Sequence, residues 1–186
     1  MRLSRRFGCI AFAALLSSPA WAVDGVGVVE DGVPSANQKN AVATTLIDPD
    51  FRTKLLAAGA DPLENPSGII TNYGMLSDGT LTEPDENTYV VFPRNPGGPT
   101  ANFDYGRHFL YQGHENGAPK AYVTRINLDV PRGDIHRITL LTPVDAATGT
   151  TGLGSIDGST YNPFTRTLLF TQEAGSNGGV FQLTTG

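Results

Sequence analysis

Cysteine and basic residues are scarce in this chain of 186 residues. The single cysteine, Cys9, excludes a disulfide within the chain and a metal site built from several thiolates. The 13 Lys and Arg are outnumbered by 18 Asp and Glu, which gives a formal net charge of −5. Such a balance argues against nucleic acid and against anionic membrane surfaces as partners.

The N-terminus has the features of a secretory signal peptide. Three arginines within residues 1–6 precede an apolar run over 7–16, and residues 17–22 end in Ala-Trp-Ala, with small residues at the two positions that signal peptidase reads. This order predicts a signal peptide over residues 1–22, cut after Ala22, and hence a secreted or periplasmic protein. The arginine pair leaves open whether export follows the general or the twin-arginine route.

Cleavage would remove Cys9 and leave 164 residues with ten basic and 18 acidic side chains, a net charge of −8. A mature chain without a thiol has no disulfide and no cysteine-ligated metal. Excess carboxylate outside the cell suits calcium, a hard cation that prefers oxygen ligands. The sequence has no second long apolar run, so no transmembrane helix is predicted.

The composition favours short strands joined by turns, because the chain has 22 Gly and 13 Pro and only 17% charged residues. Residues 23–87 are predicted to form an irregular N-terminal region with one short helix near 50–58. Asp48-Pro49-Asp50 would begin this helix, and Gly59 would end it.

Residues 88–186 read as a series of strands separated by turns. The predicted strands are 88–92, 107–112, 121–128, 135–141, 165–171 and 179–183. Residues 142–160 have little regular pattern and are predicted to form a loop, as is most of 60–87. Many short strands with glycine-rich turns indicate an all-β sandwich, barrel or propeller.

The chain ends on the strand "GGVFQLTTG", which would leave an unpaired sheet edge. About 40 residues make one propeller blade, so the strand-rich region corresponds to about two to three blades, whereas closure needs at least four. We therefore expect an incomplete propeller, the N-terminal piece of a longer protein, whose partner would be the remainder of its own propeller.

Two stretches resemble a known family. "FLYQGHENG" at 109–117 resembles the strand and "NHE" motif of PhoX-type alkaline phosphatases. "DGSTYNPFTRTLLFTQEAG" at 157–175 resembles the second motif of that family, in which a glycine-rich turn, a "tPW" segment and a strand lead into paired acids. "GGVFQL" at 178–183 is similar to the strand that follows there, and the whole resemblance covers about 105–186.

The resemblance implies a secreted six-bladed β-propeller that hydrolyses phosphate monoesters, with calcium ions, and in characterised phosphatases iron, in its central channel. By position, Glu115 and Glu173 would be metal ligands, with His114 and Gln172 as their near neighbours. The sequence departs from the family where the second motif has a cysteine and two acids, because Thr171-Gln172-Glu173 stands there. The earlier cysteine of the pattern is also missing. Calcium is therefore expected, whereas iron held by a thiolate is not.

Other polar residues have simpler explanations. His114 beside a turn, and His108 and His136 inside strands, are expected to be structural. The acidic run Glu83-Pro-Asp-Glu86 predicts a solvated turn, with an additional calcium ligand as the alternative. Ser159 lies in no G-x-S-x-G elbow, which argues against a serine hydrolase. Four arginines could each contact a phosphate, but the sequence does not predict which of them converge: Arg107, Arg125, Arg137 and Arg166.

The sequence thus predicts a PhoX-like, calcium-dependent phosphoesterase acting on a small phosphorylated substrate, with Glu115 and Glu173 as metal ligands. The alternatives are a non-catalytic secreted calcium-binding propeller that serves as a scaffold or binding module, and a propeller hydrolase of another type such as a lactonase.

Overall fold

The computed structural model describes residues 54–117 and 119–185, and this part of the chain is all-β. It contains nine strands in three antiparallel sheets and a single turn of 3-10 helix at Gly175–Asn177. The strands are β1 (Ile70–Asn72), β2 (Met75–Leu76), β3 (Glu83–Val91), β4 (His108–Glu115), β5 (Tyr122–Asn127), β6 (Ile138–Leu140), β7 (Ile156–Asn162), β8 (Thr167–Gln172) and β9 (Val180–Thr184). The predicted signal peptide lies outside the described residues.

The largest sheet contains β3, β4, β5 and β6 in sequence order, so each strand pairs with the next one along the chain. Its inner strand β4 is buried on both faces, because both sets of alternating side chains lie against packed neighbours. Phe109 and Tyr111 on one face are fully buried, and Gln112 and His114 on the other face are buried as well. Strand β5 is buried along its whole length.

A second sheet of β7, β8 and β9 packs against the Phe109 face of the first. Ile156 from β7 and Leu168 and Phe170 from β8 join Phe109 and Tyr111 in one hydrophobic cluster. The close packing is possible because β4 has a glycine at the contact: a Cβ built on Gly113 would lie 3.1 Å from Ile156 Cγ2.

The opposite face of the first sheet is covered by residues 54–82, which contain the two-stranded sheet β1–β2. Leu63, Ile70 and Leu76 from this segment pack against Ile126 and Ile138. The segment also completes the open edge of β6. The Asn65 side chain accepts from the Leu140 N–H at 2.8 Å and donates to the Leu140 carbonyl at 2.9 Å, so it replaces a neighbouring strand there.

The described part of the predicted helix 50–58 is not helical. Residues 54–58 have no regular secondary structure, and 50–53 lie outside the described residues. The hydrogen bonds that a helix would need are made elsewhere. The Leu56 carbonyl accepts from Arg137 Nη2 at 3.2 Å, and the Ala58 carbonyl accepts from the Asp61 N–H at 2.8 Å in a turn. Tertiary contacts therefore override the local helix signals.

Each of the six strands predicted from the sequence overlaps an observed strand. Two regions were predicted wrongly. Residues 142–160 are not a loop throughout, since β7 begins at Ile156, and the acidic run 83–86 is the first part of β3 rather than a turn. Strands β1 and β2 also lie in a region that was predicted to be irregular. Pro84 is tolerated in β3 because this strand lies at the edge of its sheet.

Among the described residues, no helix has the length and hydrophobicity needed to cross a bilayer.

Candidate metal site at the acidic end of two sheets

Glu115 is the last residue of β4, and its pairing partner in β3 is another acid, Glu83. Like charges directly opposite each other destabilise an antiparallel pair. This pair arises because the register that Val90 and Phe109 set in the buried part of the hairpin shifts between Pro84 and Asn87. The irregular hairpin thus holds two carboxylates side by side despite their mutual repulsion.

Glu173 follows directly after β8, in the second sheet. Its backbone N–H donates to the Ser155 carbonyl at 2.8 Å, which fixes it beside the start of β7. The packing of Ile156 on Gly113 brings this end of β7 close to the end of β4. Glu115 and Glu173 therefore reach the same end of the molecule from two different sheets.

Further acids gather at the same place. Glu86 Oε2 accepts from the Ser159 N–H at 3.1 Å, which links β3 to β7. Asp85 and Asp157 come from these two strands and lie within hydrogen-bonding reach of each other. We call the six carboxylates at this place the acidic end: Glu83, Asp85, Glu86, Glu115, Asp157 and Glu173.

The pKa values of two carboxyl groups at the acidic end respond to the charges around them. Partial burial raises the pKa of Glu115, and the negative charges of Asp85, Glu173, Glu83 and Asp157 raise it further. Burial also raises the pKa of Asp85, as do the charge of Asp157 and the hydrogen bond with it. The two glutamates predicted from the sequence thus share one electrostatic environment.

No cation within the described residues compensates this charge. The three ion pairs in residues 54–117 and 119–185 lie elsewhere and join His108 to Asp129, Arg132 to Asp61 and His136 to Glu64. In the described part of the chain, no group of three or more His, Cys, Asp and Glu side chains is arranged to hold a metal ion. The acidic end is therefore a concentration of negative charge rather than a formed coordination shell.

The donor set at the acidic end fits one class of metal better than another. All six side chains offer carboxylate oxygens, which hard cations such as calcium prefer. Glu115 and Asp157 are half-buried and Glu173 is exposed, so side-chain rotations there displace little of the core. An iron site that needs a thiolate does not fit, since the only cysteine is Cys9.

His114 is adjacent to Glu115 in sequence but points to the opposite face of β4, into the core. Its ring is fully buried, stacks on Tyr122 with centroids 4.4 Å apart, and meets the edge of the Tyr73 ring at 4.7 Å. Nε2 contacts Thr124 Oγ1 at 2.9 Å, and Nδ1 contacts Thr82 Oγ1 at 3.3 Å. Burial lowers the pKa of His114 to about 3, so the ring is neutral and structural, as expected.

The remaining candidates also have structural roles. His108 contacts Asp129 and His136 contacts Glu64, each at 2.8 Å, as expected for structural histidines. Ser159 exchanges a hydrogen bond of 2.7 Å with Thr88 across the two sheets, which gives it a packing role. The four arginines divide into two kinds: Arg125 and Arg137 are buried, whereas Arg107 and Arg166 lie nearer the surface.

Sequence reasoning named Glu115 and Glu173 as ligands, gave the run 83–86 an additional calcium ligand only as the alternative to a solvated turn, and gave Asp157 no role. Asp85 lies between Pro84 and Asn87, where the register of β3 on β4 shifts, so counting along the strand in the sequence does not place it. No local signal marked Asp157 either, because its place depends on how the two sheets pack.

Comparison with known proteins gives no assignment: no family model matches the chain, and no curated protein or solved structure matches it significantly.

Proposed function

We propose that the acidic end binds calcium, and that the chain is part of a secreted PhoX-like phosphoesterase that uses this calcium to hydrolyse phosphate monoesters. The observation that carries the proposal is the meeting of Glu115 and Glu173, from separate sheets, in one cluster with Asp85 and Asp157. The family resemblance named the first two residues for this role, and the other two supply additional oxygen ligands.

The charge of the acidic end makes the metal a requirement for this function. A phosphate monoester is an anion, and six carboxylates without a neighbouring ion pair would repel it. Bound calcium would neutralise this charge and polarise the phosphoryl oxygens. Glu115 and Glu173 would hold the ion from two sides, and Asp85 and Asp157 would complete part of its oxygen shell.

The proposal includes a β-propeller architecture. Its support is the order of the strands, since β3 to β6 and β7 to β9 each pair with their sequence neighbours in antiparallel sheets. The two sheets also pack face to face through one apolar cluster. Both features are those of successive propeller blades.

The second candidate is a secreted calcium-binding module without catalytic activity. One observation favours this module: no histidine, lysine or arginine in residues 54–117 and 119–185 forms an ion pair with the carboxylates of the acidic end. In this part of the chain, no cation paired with the acidic end is therefore available to contact the phosphate.

The test is hydrolysis of p-nitrophenyl phosphate by the secreted full-length protein, with calcium and with a chelator. We expect calcium-dependent turnover that is lost in Glu115→Gln and in Glu173→Gln. The control is Asp78→Asn, which removes a carboxylate outside the acidic end but keeps the oxygen that accepts from the Thr80 N–H. Calcium binding without turnover would favour the module, and turnover that a chelator leaves unchanged would contradict the proposal.

A further inference from the structure

Arg125 is a buried cation in the middle of β5. Its side chain is 1% exposed and lies with the guanidinium carbon 4.9 Å from the centroid of the Phe109 ring and 5.2 Å from that of Tyr105. Nη1 donates to the Thr185 carbonyl at 3.0 Å. Nε and Nη2 are also buried, and neither has a hydrogen-bond partner among the described residues.

A buried guanidinium with two unmade hydrogen bonds is unfavourable, because arginine keeps its charge in proteins and its N–H groups lose their water. The neighbouring aromatic rings compensate part of the charge. The carboxylate of Glu64 contributes favourable charge from a distance, but its own hydrogen bonds come from Tyr105, Thr100, His136 and Thr139. None of the described carboxylates pairs with Arg125.

A cavity of about 320 Å³ lies beside this guanidinium. One water molecule occupies about 30 Å³ in the liquid, so the cavity has room for a small ligand. Arg125 forms part of its wall, together with Asn65, Gly98, Pro99, Thr139 and Thr184. Gly98 allows the chain to pack closely on the guanidinium, because a Cβ built there would lie 2.8 Å from Nη2.

We propose that this cavity binds a small oxyanion, a carboxylate or a phosphate, through the Nε–H and Nη2–H of Arg125. These two groups lie on one edge of the planar guanidinium and point the same way, which is the geometry that accepts two oxygens of one anion. The bound anion would satisfy both free N–H groups and neutralise the buried charge. Thr139, whose hydroxyl donates to Glu64, and Thr184 also line this cavity.

The oxyanion site is separate from the acidic end. Arg125 pairs with Tyr111, four residues before Glu115 in β4, and strands rise about 3.3 Å per residue, so the two places are about 13 Å apart along the sheet. This inference does not rest on the proposed phosphoesterase function, and it can be tested with calcium removed.

The experiment is a titration of the full-length secreted protein with inorganic phosphate and, separately, with acetate, in the presence of a chelator. Sodium chloride at matched ionic strength is the control. The readouts are the thermal midpoint and the ¹⁵N resonance of the Arg125 Nε–H group. We expect a saturable rise in the midpoint and a shifted Nε–H resonance with at least one of the two anions, and the comparison of phosphate with acetate identifies the class.

The test variant is Arg125→Met, which keeps an apolar stem against Phe109 and Tyr105 but has no N–H groups. We expect it to bind the anion at least about tenfold more weakly, as the loss of hydrogen bonds to a charged group implies. Arg166→Met, in a neighbouring cavity, should bind like the wild type. If the Met variant does not fold, the Nε–H resonance of the wild-type protein decides the question. Equal binding by the folded variant, or no saturable effect of either anion on the wild type, would overturn the proposal.

Discussion

The acidic end and the surroundings of Arg125 both contain charge without a partner of opposite sign among the described residues, but they differ in solvation. Glu173 is exposed and Glu115 is half-buried, so water screens much of their repulsion. Arg125 is almost fully buried, and only Thr185 accepts a hydrogen bond from it. Like charges near the surface can therefore be kept close together at modest cost in stability, whereas a buried charge depends on packing and on the groups that satisfy its N–H donors.

The largest effect is expected from removing the buried side chain of Arg125. Arg125→Ala removes a long stem that packs on Phe109 and Tyr105, and it leaves a void in the core. We expect a loss of about 2–4 kcal/mol in the free energy of unfolding, measured with urea. Arg125→Met should lie within about 1 kcal/mol of the wild type or be more stable, since apolar side chains of similar size often replace buried charges without loss. Equal losses in both variants would mean that the charge itself stabilises the fold.

The second effect concerns the buried base His114. Its pKa of about 3 in the folded state lies below the value of 6.5 for a free histidine. Between these values the unfolded state binds more protons, so stability is full above pH 6.5 and falls as the pH decreases towards 3. We expect a loss of about 2 kcal/mol between pH 7 and pH 5 from this group alone.

The same urea titrations on His114→Asn should show this part of the pH dependence removed. His108→Gln is the matched control, because His108 is a partly exposed histidine in the same strand, and it should keep the loss at pH 5. A histidine at position 114 that titrates near 6.5 by NMR would contradict the prediction.

The third effect tests the packing that assembles the acidic end. In Gly113→Ala the new Cβ would lie 3.1 Å from the buried side chain of Ile156, which has little room to move. We expect a destabilisation of about 1–2 kcal/mol, measured by thermal unfolding, because overpacking of a core outweighs the gain from replacing a strand glycine. In Gly117→Ala the Cβ would have no neighbour within 4 Å, so this variant should match the wild type. A neutral Gly113→Ala would show that β4 and β7 are not closely packed at this point.

The smallest effect is expected from removing the charge of Glu115 at the acidic end. The raised pKa of Glu115 means that the folded state favours the protonated carboxyl. This contribution is favourable at low pH and is lost as the pH rises through the carboxyl range. Glu115→Gln should therefore stabilise the protein at pH 7 in a chelator, by a few tenths of a kcal/mol after solvent screening. Added salt should reduce the difference. A destabilised variant in the absence of calcium would contradict the account.

The strands that carry strong alternation or apolar runs were predictable from the sequence, as β4 and β5 illustrate. Strand β7 was not, because "IDGSTYN" has turn-forming residues and is held as a strand by its pairing with β8. The helix near 50–58 failed for the opposite reason, since local signals there are outweighed by contacts with Arg137 and Asp61 over the residues described.

The same distinction holds for the sites. Glu115 and Glu173 could be named from short motifs at strand ends. The position of Asp157 and the lack of partners for two N–H groups of Arg125 depend on how two sheets and residues 93–105 pack together. A single sequence has no local pattern for such contacts.

The central claim is that Glu115 and Glu173 hold one calcium ion together. Isothermal titration calorimetry of the full-length protein with calcium, compared with Glu115→Gln, Glu173→Gln and Asp78→Asn, tests it most directly. The account predicts saturable binding by the wild type and by Asp78→Asn, and a large loss of affinity in each glutamate variant. Undiminished calcium binding in both glutamate variants, or no binding by the wild type, would contradict it.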